Sequence, residues 1–446
     1  MHIQLIEHPT IVAARARRPA PPAAEPLDAA WLRALCMEAG ADDVGFVGLE
    51  RLALAGERPH IERAFQRTRS LISFVLRMNR DNVRSPARSV ANVEFHHTGD
   101  EVSEVARRIT AALELSGIRA LDPPMAFPME ADRWGFDRMW VVAHKPIAVA
   151  AGLGRMGIHR NVIHPRFGNF ILLGTILVDA KISAYSQELD HNPCLECKLC
   201  VAACPVGAIG ADGVFNPSAC YTHNYREFMG GFANWVETIA DSRDGKDYRR
   251  RVKDSESVSM WQSLGFGPNY KAADCMAVCP AGEDVIGPYL ASKKDSVEEV
   301  MRPLQAKREP VYVLRGSDAE THVKKRYPHK AVRHVRGSLR PRNIANLLFG
   351  MRLSFQRHAA GKLDATYHFV FTGSERAEAT VTIHESKLTI ENGLLGKPNM
   401  KVTADSETWL GILAGERSLP GALLTRRVRL RGNPQWLLAF KRCFPS

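Results

Sequence analysis

The 446-residue sequence has no apolar run of about 18 or more residues, which excludes a membrane-spanning helix of ordinary length. No apolar region follows Arg17 and Arg18. Pro-Ala-Pro-Pro-Ala-Ala stands there instead, so the pair does not read as a twin-arginine export signal. Two Cys-x-x-Cys pairs held well apart, the usual zinc arrangement, are absent. Nothing in the thiol spacing asks for disulfides, and clustered thiols fit a reducing, cytoplasmic setting. Acidic residues are missing from Thr321 to Arg342, where Lys324, Lys325, Arg326, Lys330, Arg333, Arg336, Arg340 and Arg342 fall. That run supplies part of the net charge of +12. It reads either as a solvated basic linker or as an attractor of nucleic acid, anionic lipid or a phosphate-bearing ligand, although it lacks interleaved stacking aromatics.

What the chain does have is thiols in a telling order. Cys194, Cys197, Cys200 and Cys204, followed at once by Pro205, form the pattern C-x2-C-x2-C-x3-C-P. This pattern wraps three thiolates round one iron–sulfur cubane and sends the fourth to a second cluster. Cys220, Cys275 and Cys279, the last before Pro280, lie downstream. By the same exchange, Cys194, Cys197, Cys200 and Cys279 hold one four-iron cluster, and Cys204, Cys220 and Cys275 are left for the other. The position three before Cys275 is Ala272, where a fourth thiol would stand. The second site is then a three-iron cluster, a four-iron cluster with a ligand such as Asp274, His223 or water, or empty; an occupied, irregular cluster is the favoured form. The remaining two of nine cysteines, Cys36 and Cys443, read as small buried hydrophobes.

The length suggests two or three domains. Residues 1–26 read as a flexible tail. Residues 27–185 mix helix and strand: Asp28 caps a helix ending at Gly40, residues 44–49 and 71–78 read as strands, and Thr98 with Glu101 forms a capping box for a helix stopped by Gly117. Residues 171–178 form an almost continuous apolar strand, buried on both faces. Residues 186–300 carry the cysteines, with an insertion at 221–274 that reads as a satellite helical hairpin with its own small core, or as a lid. Residues 301–342 form the basic linker. Residues 343–446 alternate apolar and polar in short strands separated by Gly373-Ser374, Glu385-Ser386 and Asn392-Gly393, with Ser406 capping one helix and Asn433-Pro434 starting the last. The class is α+β.

Between the helix and strand signals lies HKPIAVAAGLGRMGIHRNVIHPRFGNFILLG, and the thiol pattern follows it. The glycines are not a nucleotide fingerprint, because no strand precedes them and no acid follows at the required distance. AAGLGRMG, then NVIHPRFGNFILLG, then the cysteine run, resembles the family that joins epoxyqueuosine reductases and reductive dehalogenases, over about residues 30–285. The resemblance implies a nitroreductase-like domain holding cobalamin and a two-cluster ferredoxin-like module feeding it electrons. It implies that Gly152, Gly154, Gly157, Asn161 and Gly168 lie near the corrinoid, with Arg160 meeting a cofactor amide or phosphate, and that no axial His comes from the protein. A nearby acid protonates the product; the candidates are Asp137, His144, Tyr185 and Glu130. Where the queuosine enzymes carry an acid before the AGLG segment, this chain reads GFDRMWVVAHKP, and Asp137 reaches that position only with a one-residue gap. Flavin (FMN) is the alternative cofactor, since nitroreductase-like folds hold it too.

LDATYHFVFTG, TVTIHESKLTIENG, KVTADSETWLGILAGE and RVRLRGNPQWLLAF resemble the sterol-carrier-protein type 2 domain, a small α/β domain. The resemblance implies an apolar tunnel for sterols, fatty acids or acyl thioesters. Phe349, Phe355, Phe369, Phe371, Trp409, Leu413, Trp436 and Phe440 either line such a tunnel or fill a core. The reading that joins these parts is a cobalamin-dependent iron–sulfur reductase of a hydrophobic substrate, supplied by an external donor of the ferredoxin or flavodoxin type. Three others stand beside it: an epoxyqueuosine reductase acting on tRNA, a flavin-dependent reductase, and a non-enzymatic lipid-binding electron-transfer protein.

Overall fold

The computed structural model describes residues 7–16, 26–133, 138–337 and 340–445. The first sheet comprises β1 (Asp43–Gly48), β2 (Ser70–Arg77), β3 (Ala120–Leu121) and, after a hairpin of β4 (Arg155–Met156) and β5 (Val162–Ile163), β6 (Ile171–Val178). The order is β1-β2-β6-β3, antiparallel throughout. One face packs Ile72, Phe74 and Ile176 against Val105, Ile109 and Leu113 of the helix Arg88–Leu115. The other packs Leu71 and Leu177 against Ile147 of the helix His144–Ala150. Burial on both sides is why β6 carries an apolar run rather than an alternation.

Asp28 accepts from the Trp31 N–H at 2.7 Å and caps the helix Ala29–Glu38, and Gly40, at φ +112°, turns the chain out of it. Thr98 and Glu101 do not start a helix. A single helix runs Arg88–Leu115, and Thr98 lies inside it with its hydroxyl on Glu94. Glu94 in turn accepts from the backbone and side chain of Asn79 and from Asn82. The first half of this helix is held by buried polar contacts that no apolar periodicity reveals. Within the stretch expected as a tail, Pro9–Ala16 is a helix with no buried residue.

Residues 301–342 are not an open linker. β7 (Val311–Leu314) pairs in parallel with β8 (Val332–Val335) across the helix Asp318–Arg326. Leu304, Val311, Val313, Ala319, Val323 and Tyr327 share one core with Cys204, Cys220 and Cys275. The basic side chains escape that core by pairing outward: Lys324 with Glu320, Arg333 with Glu256, Arg336 with Asp241 and Arg340 with Glu237.

The insertion forms three helices, Met229–Ala240, Gly245–Arg251 and Asp254–Phe266. Its centre is ionic rather than apolar. Arg226 and Glu256 pair at 2.8 Å with side chains 5% and 7% exposed, and Glu227 gathers Lys271, Ser259, Ser263 and Asn269. Trp261 and Phe266 stand in solvent, so the small apolar core expected here is not what holds it.

The C-terminal sheet has the order β11-β10-β9-β12-β13, from β9 (Ala365–Thr372), β10 (Ala377–His384), β11 (Lys387–Asn392), β12 (Met400–Asp405) and β13 (Val428–Gly432). Only β9 and β12 run parallel. Glu385 and Ser386, both at positive φ, make the two-residue β10–β11 turn. Asp405, one residue before the expected Ser406, caps the helix Ser406–Leu413. Phe369 packs on Trp409 and Phe440, with ring centroids 6.1 and 5.4 Å apart, whereas Phe349 and Leu413 are exposed. No helix among the described residues is long and apolar enough to cross a membrane.

Candidate functional site

Cys194, Cys197, Cys200 and Cys279 line one small pocket with Ile158, His159, Pro280 and Ala281. Left-handed backbone at Glu196 (φ +51°) and Lys198 (φ +62°) coils the loop so that thiols three residues apart face a common centre. The helix Leu199–Ala203 then carries Cys200 inward. Burial, then repulsion from neighbouring thiolates, pushes Cys200 up to about 12; burial drives Cys279 to about 12 against its hydrogen bond from the backbone at Ala281. Thiols held so far from ionising become thiolates only when a cation takes the proton's place.

A second group lies behind the first. Cys275 is pushed well up by burial and then by Cys220, Cys204, Cys200 and Asp274. Cys220 is pushed up to about 12 by burial and then by Cys204. The Cys204 sulfur accepts the Ala208 N–H at 3.3 Å, a contact of the kind that tunes cluster potentials. The chain thus brings Cys194, Cys197, Cys200 and Cys279 to one pocket and packs Cys204, Cys220 and Cys275 into one core. Among the described residues no group of three or more His, Cys, Asp or Glu is close enough to hold a single ion. A donor set made of thiols alone is the chemistry that iron–sulfur clusters take.

The glycines do something other than cradle a ligand. A Cβ at Gly152 would fall on the Gln187 carbonyl, at Gly154 on the Ile163 carbonyl, at Gly157 on the Ile163 and His159 side chains, and at Gly168 on the Ala281 carbonyl. Each missing side chain makes room for protein. Close packing of the chain on itself therefore accounts for the missing side chains of these four glycines.

His144 is also accounted for. Its Nε2–H donates to the Pro124 carbonyl at 3.1 Å, so Nδ1 accepts from the Thr175 hydroxyl at 2.9 Å, and burial lowers its pKa. A neutral ring with both nitrogens engaged is a brace and not a proton donor. Tyr185 is tied to Ser70 at 2.8 Å, Glu130 is exposed, and Asp137 lies outside the described residues. His164 accepts from the N–H groups of Arg166 and Phe167 and meets Asp43, which makes it a loop brace too. His159 lines the four-thiol pocket, accepts from the Asn161 N–H, and is driven down to about 4 by burial and then by Lys145.

Lys145 was not singled out from sequence, where a lone Lys in KPIAVAAG looks like surface. Its Nζ donates to the Arg160 carbonyl at 2.8 Å and the Asn161 Oδ1 at 3.2 Å. Burial lowers its pKa, while Cys275 and Cys220 act to raise it. The side chain is exposed to solvent all the same. Arg160 turns there at φ +65° with its own side chain exposed.

Such a site defines a class: paired thiol centres set against an α+β domain, with a separate C-terminal sheet domain. Residues 352–445 match the SCP-2 sterol transfer family. The epoxyqueuosine reductase of Vibrio cholerae is 33% identical over 89 residues, which are 20% of this chain and 24% of that protein. That of Listeria monocytogenes is 25% identical over 204 residues, 43% and 49% of the two chains. The solved epoxyqueuosine reductase of Streptococcus thermophilus superposes with a TM-score of 0.33 at 16% identity, over 61% of this chain and 74% of that one. The chain resembles epoxyqueuosine reductases over part of its length, joins that part to a sterol-carrier domain, and spans about a quarter to a half of the curated relatives just named.

Proposed function

We propose that the protein is an iron–sulfur oxidoreductase, a reductase that draws electrons from an external ferredoxin- or flavodoxin-type donor. Cys194, Cys197, Cys200 and Cys279 would hold one cluster and Cys204, Cys220 and Cys275 the other, in a ferredoxin-like module beside a nitroreductase-like domain. Iron–sulfur clusters supply one-electron transfer. The convergence of Cys279 on the pocket of Cys194, Cys197 and Cys200 from about 80 residues downstream is the observation that carries this reading. Lys145 and Asn161, beside the three-thiol group, are where an organic redox group or substrate would be met. The family resemblance favours a corrinoid there and leaves flavin as the alternative. The glycine loop, packed against the chain itself, favours neither over the other.

The sterol-carrier domain supports a hydrophobic substrate, held at high local concentration by the fusion. A tRNA substrate loses its main support, because much of the basic stretch is spent on Glu320, Glu256, Asp241 and Glu237. Anaerobic reconstitution with iron and sulfide, followed by iron, cobalt and flavin counts, tests the proposal. About seven or eight irons per chain are expected, falling by roughly four in Cys197→Ser with loss of reductase activity. A chain that takes up no iron, or a Cys197→Ser variant with the wild-type count, would overturn it.

A further inference from the structure

We propose that the Asp274 carboxylate is the fourth ligand of the cluster held by Cys204, Cys220 and Cys275. The inference rests on reading those three thiols as a cluster site and goes beyond it by naming the ligand that replaces the thiol absent at Ala272. Ala272 itself is turned away, its N–H pinned to the Asn224 side chain at 2.9 Å. Two residues on, Asp274 opens the short helix Asp274–Ala277, directly before Cys275. It is buried, and among the described residues its carboxylate has neither a hydrogen bond nor an ion pair. Buried carboxylates are paired, hydrogen-bonded, bound to metal or kept protonated, because an isolated charge costs too much to desolvate. The first two outlets are closed here.

The groups around Asp274 point to the third. It opens the same short helix as Cys275, and Cys275 packs in one core with Cys204 and Cys220. Lys307, Lys330 and Arg88 surround it at longer range and offset a charge held in this interior. His223, the other candidate, is differently placed. Its Nδ1 accepts the Tyr312 N–H at 3.3 Å, and its ring stacks on Tyr312. A neutral His with Nδ1 occupied carries its proton on Nε2 and has no lone pair left for iron. Cations, not thiolates, dominate its surroundings.

Three reconstituted full-length proteins test this by iron count, Mössbauer and EPR spectra. Wild type should hold about eight irons as two four-iron clusters. Asp274→Ala should drop to about seven, with the EPR signal of an oxidised three-iron cluster, while the four-iron cluster of Cys194, Cys197, Cys200 and Cys279 persists as an internal control of folding. Asp274→Cys should restore about eight, with the spectrum of an all-thiolate cluster. A three-iron centre in wild type, or an Asp274→Ala protein with wild-type count and spectrum, overturns the ligand assignment and leaves the two-cluster reading standing. A wild type with no cluster at all overturns both.

Discussion

Gly168→Ala should unsettle the protein more than its small added volume implies. Gly168 sits at φ +65° in a turn closed by two backbone bonds to His164, at 2.8 and 2.9 Å. A Cβ there would lie well inside 3.0 Å of the Ala281 carbonyl, and a Cβ at Gly282 would meet the Gly168 backbone in turn. Two main chains therefore cross at these glycines, and neither can yield as a flexible side chain would. The left-handed backbone costs an Ala roughly 1–2 kcal/mol. Forcing the backbones apart adds roughly 1–3 kcal/mol, for a total of roughly 2–5 kcal/mol. Gly117→Ala is the control: Gly117 has φ +78° but nothing within 4 Å, so it carries the backbone cost alone. At roughly 3 °C per kcal/mol, thermal unfolding followed by circular dichroism should fall by about 10 °C for Gly168→Ala and about 5 °C for Gly117→Ala. Since Ala281 follows Cys279 and Pro280, the first variant should also hold less iron after reconstitution. Equal midpoints for the two variants, or a Gly168→Ala protein with full iron and an unchanged midpoint, would refute the crossing argument.

Arg226→Ala should destabilise the insertion, by less than the roughly 3–5 kcal/mol of a fully stranded buried charge, because Glu256 keeps Arg333 at 3.3 Å. Hydrogen exchange would register this as lost protection across Met229–Ala240 and Asp254–Phe266, and unchanged protection would count against the ionic centre described above. Burial acts to raise Glu320, but Lys324, the Gly316 N–H and His334 outweigh it and hold the group at about 2, below its ordinary 4.5. A depressed acid stabilises the fold while ionised, so its contribution is present above about pH 4.5 and disappears as pH falls toward about 2. Glu320→Gln should flatten the acid limb of a stability–pH curve across that window, and an identical limb would remove the claim.

The parts of the fold that were legible in the sequence are those where one physical signal dominates. β6 reads directly because a strand covered on both faces has no reason to alternate. The helix after Asp28 reads because its cap is a side chain at a fixed offset. The helix from Arg88 was cut short because its first half is secured by Glu94 and Asn79, which look like ordinary surface residues in a linear sequence. Residues 301–342 were misjudged for a related reason. Counting charges shows eight cations without acids, but the compensating Glu237, Asp241 and Glu256 belong to the insertion. The glycines show what density alone does not reveal: their missing side chains make room for the Gln187, Ile163 and Ala281 backbones. Lys145 escaped notice because only the fold brings it beside Cys220 and Cys275.

The two thiol centres differ in a way that gives the proposed electron path a direction. The loop carrying Cys194 and Cys197 lies at the surface, with Leu195 and Glu196 in solvent, so an external donor can approach it. Cys204, Cys220 and Cys275 share a core with Val311, Val313 and Tyr327, beneath the β7–β8 unit. Cys275 senses Cys200 of the first centre, and Lys145 senses Cys275. Lys145 in turn holds Arg160 and Asn161. The surface loop is thus suited to receive electrons, and the enclosed centre to pass them toward Lys145. On the proposed path, a carboxylate ligand at the enclosed centre would stand at the last step before the substrate, where a shift in potential would have the most direct effect on reduction.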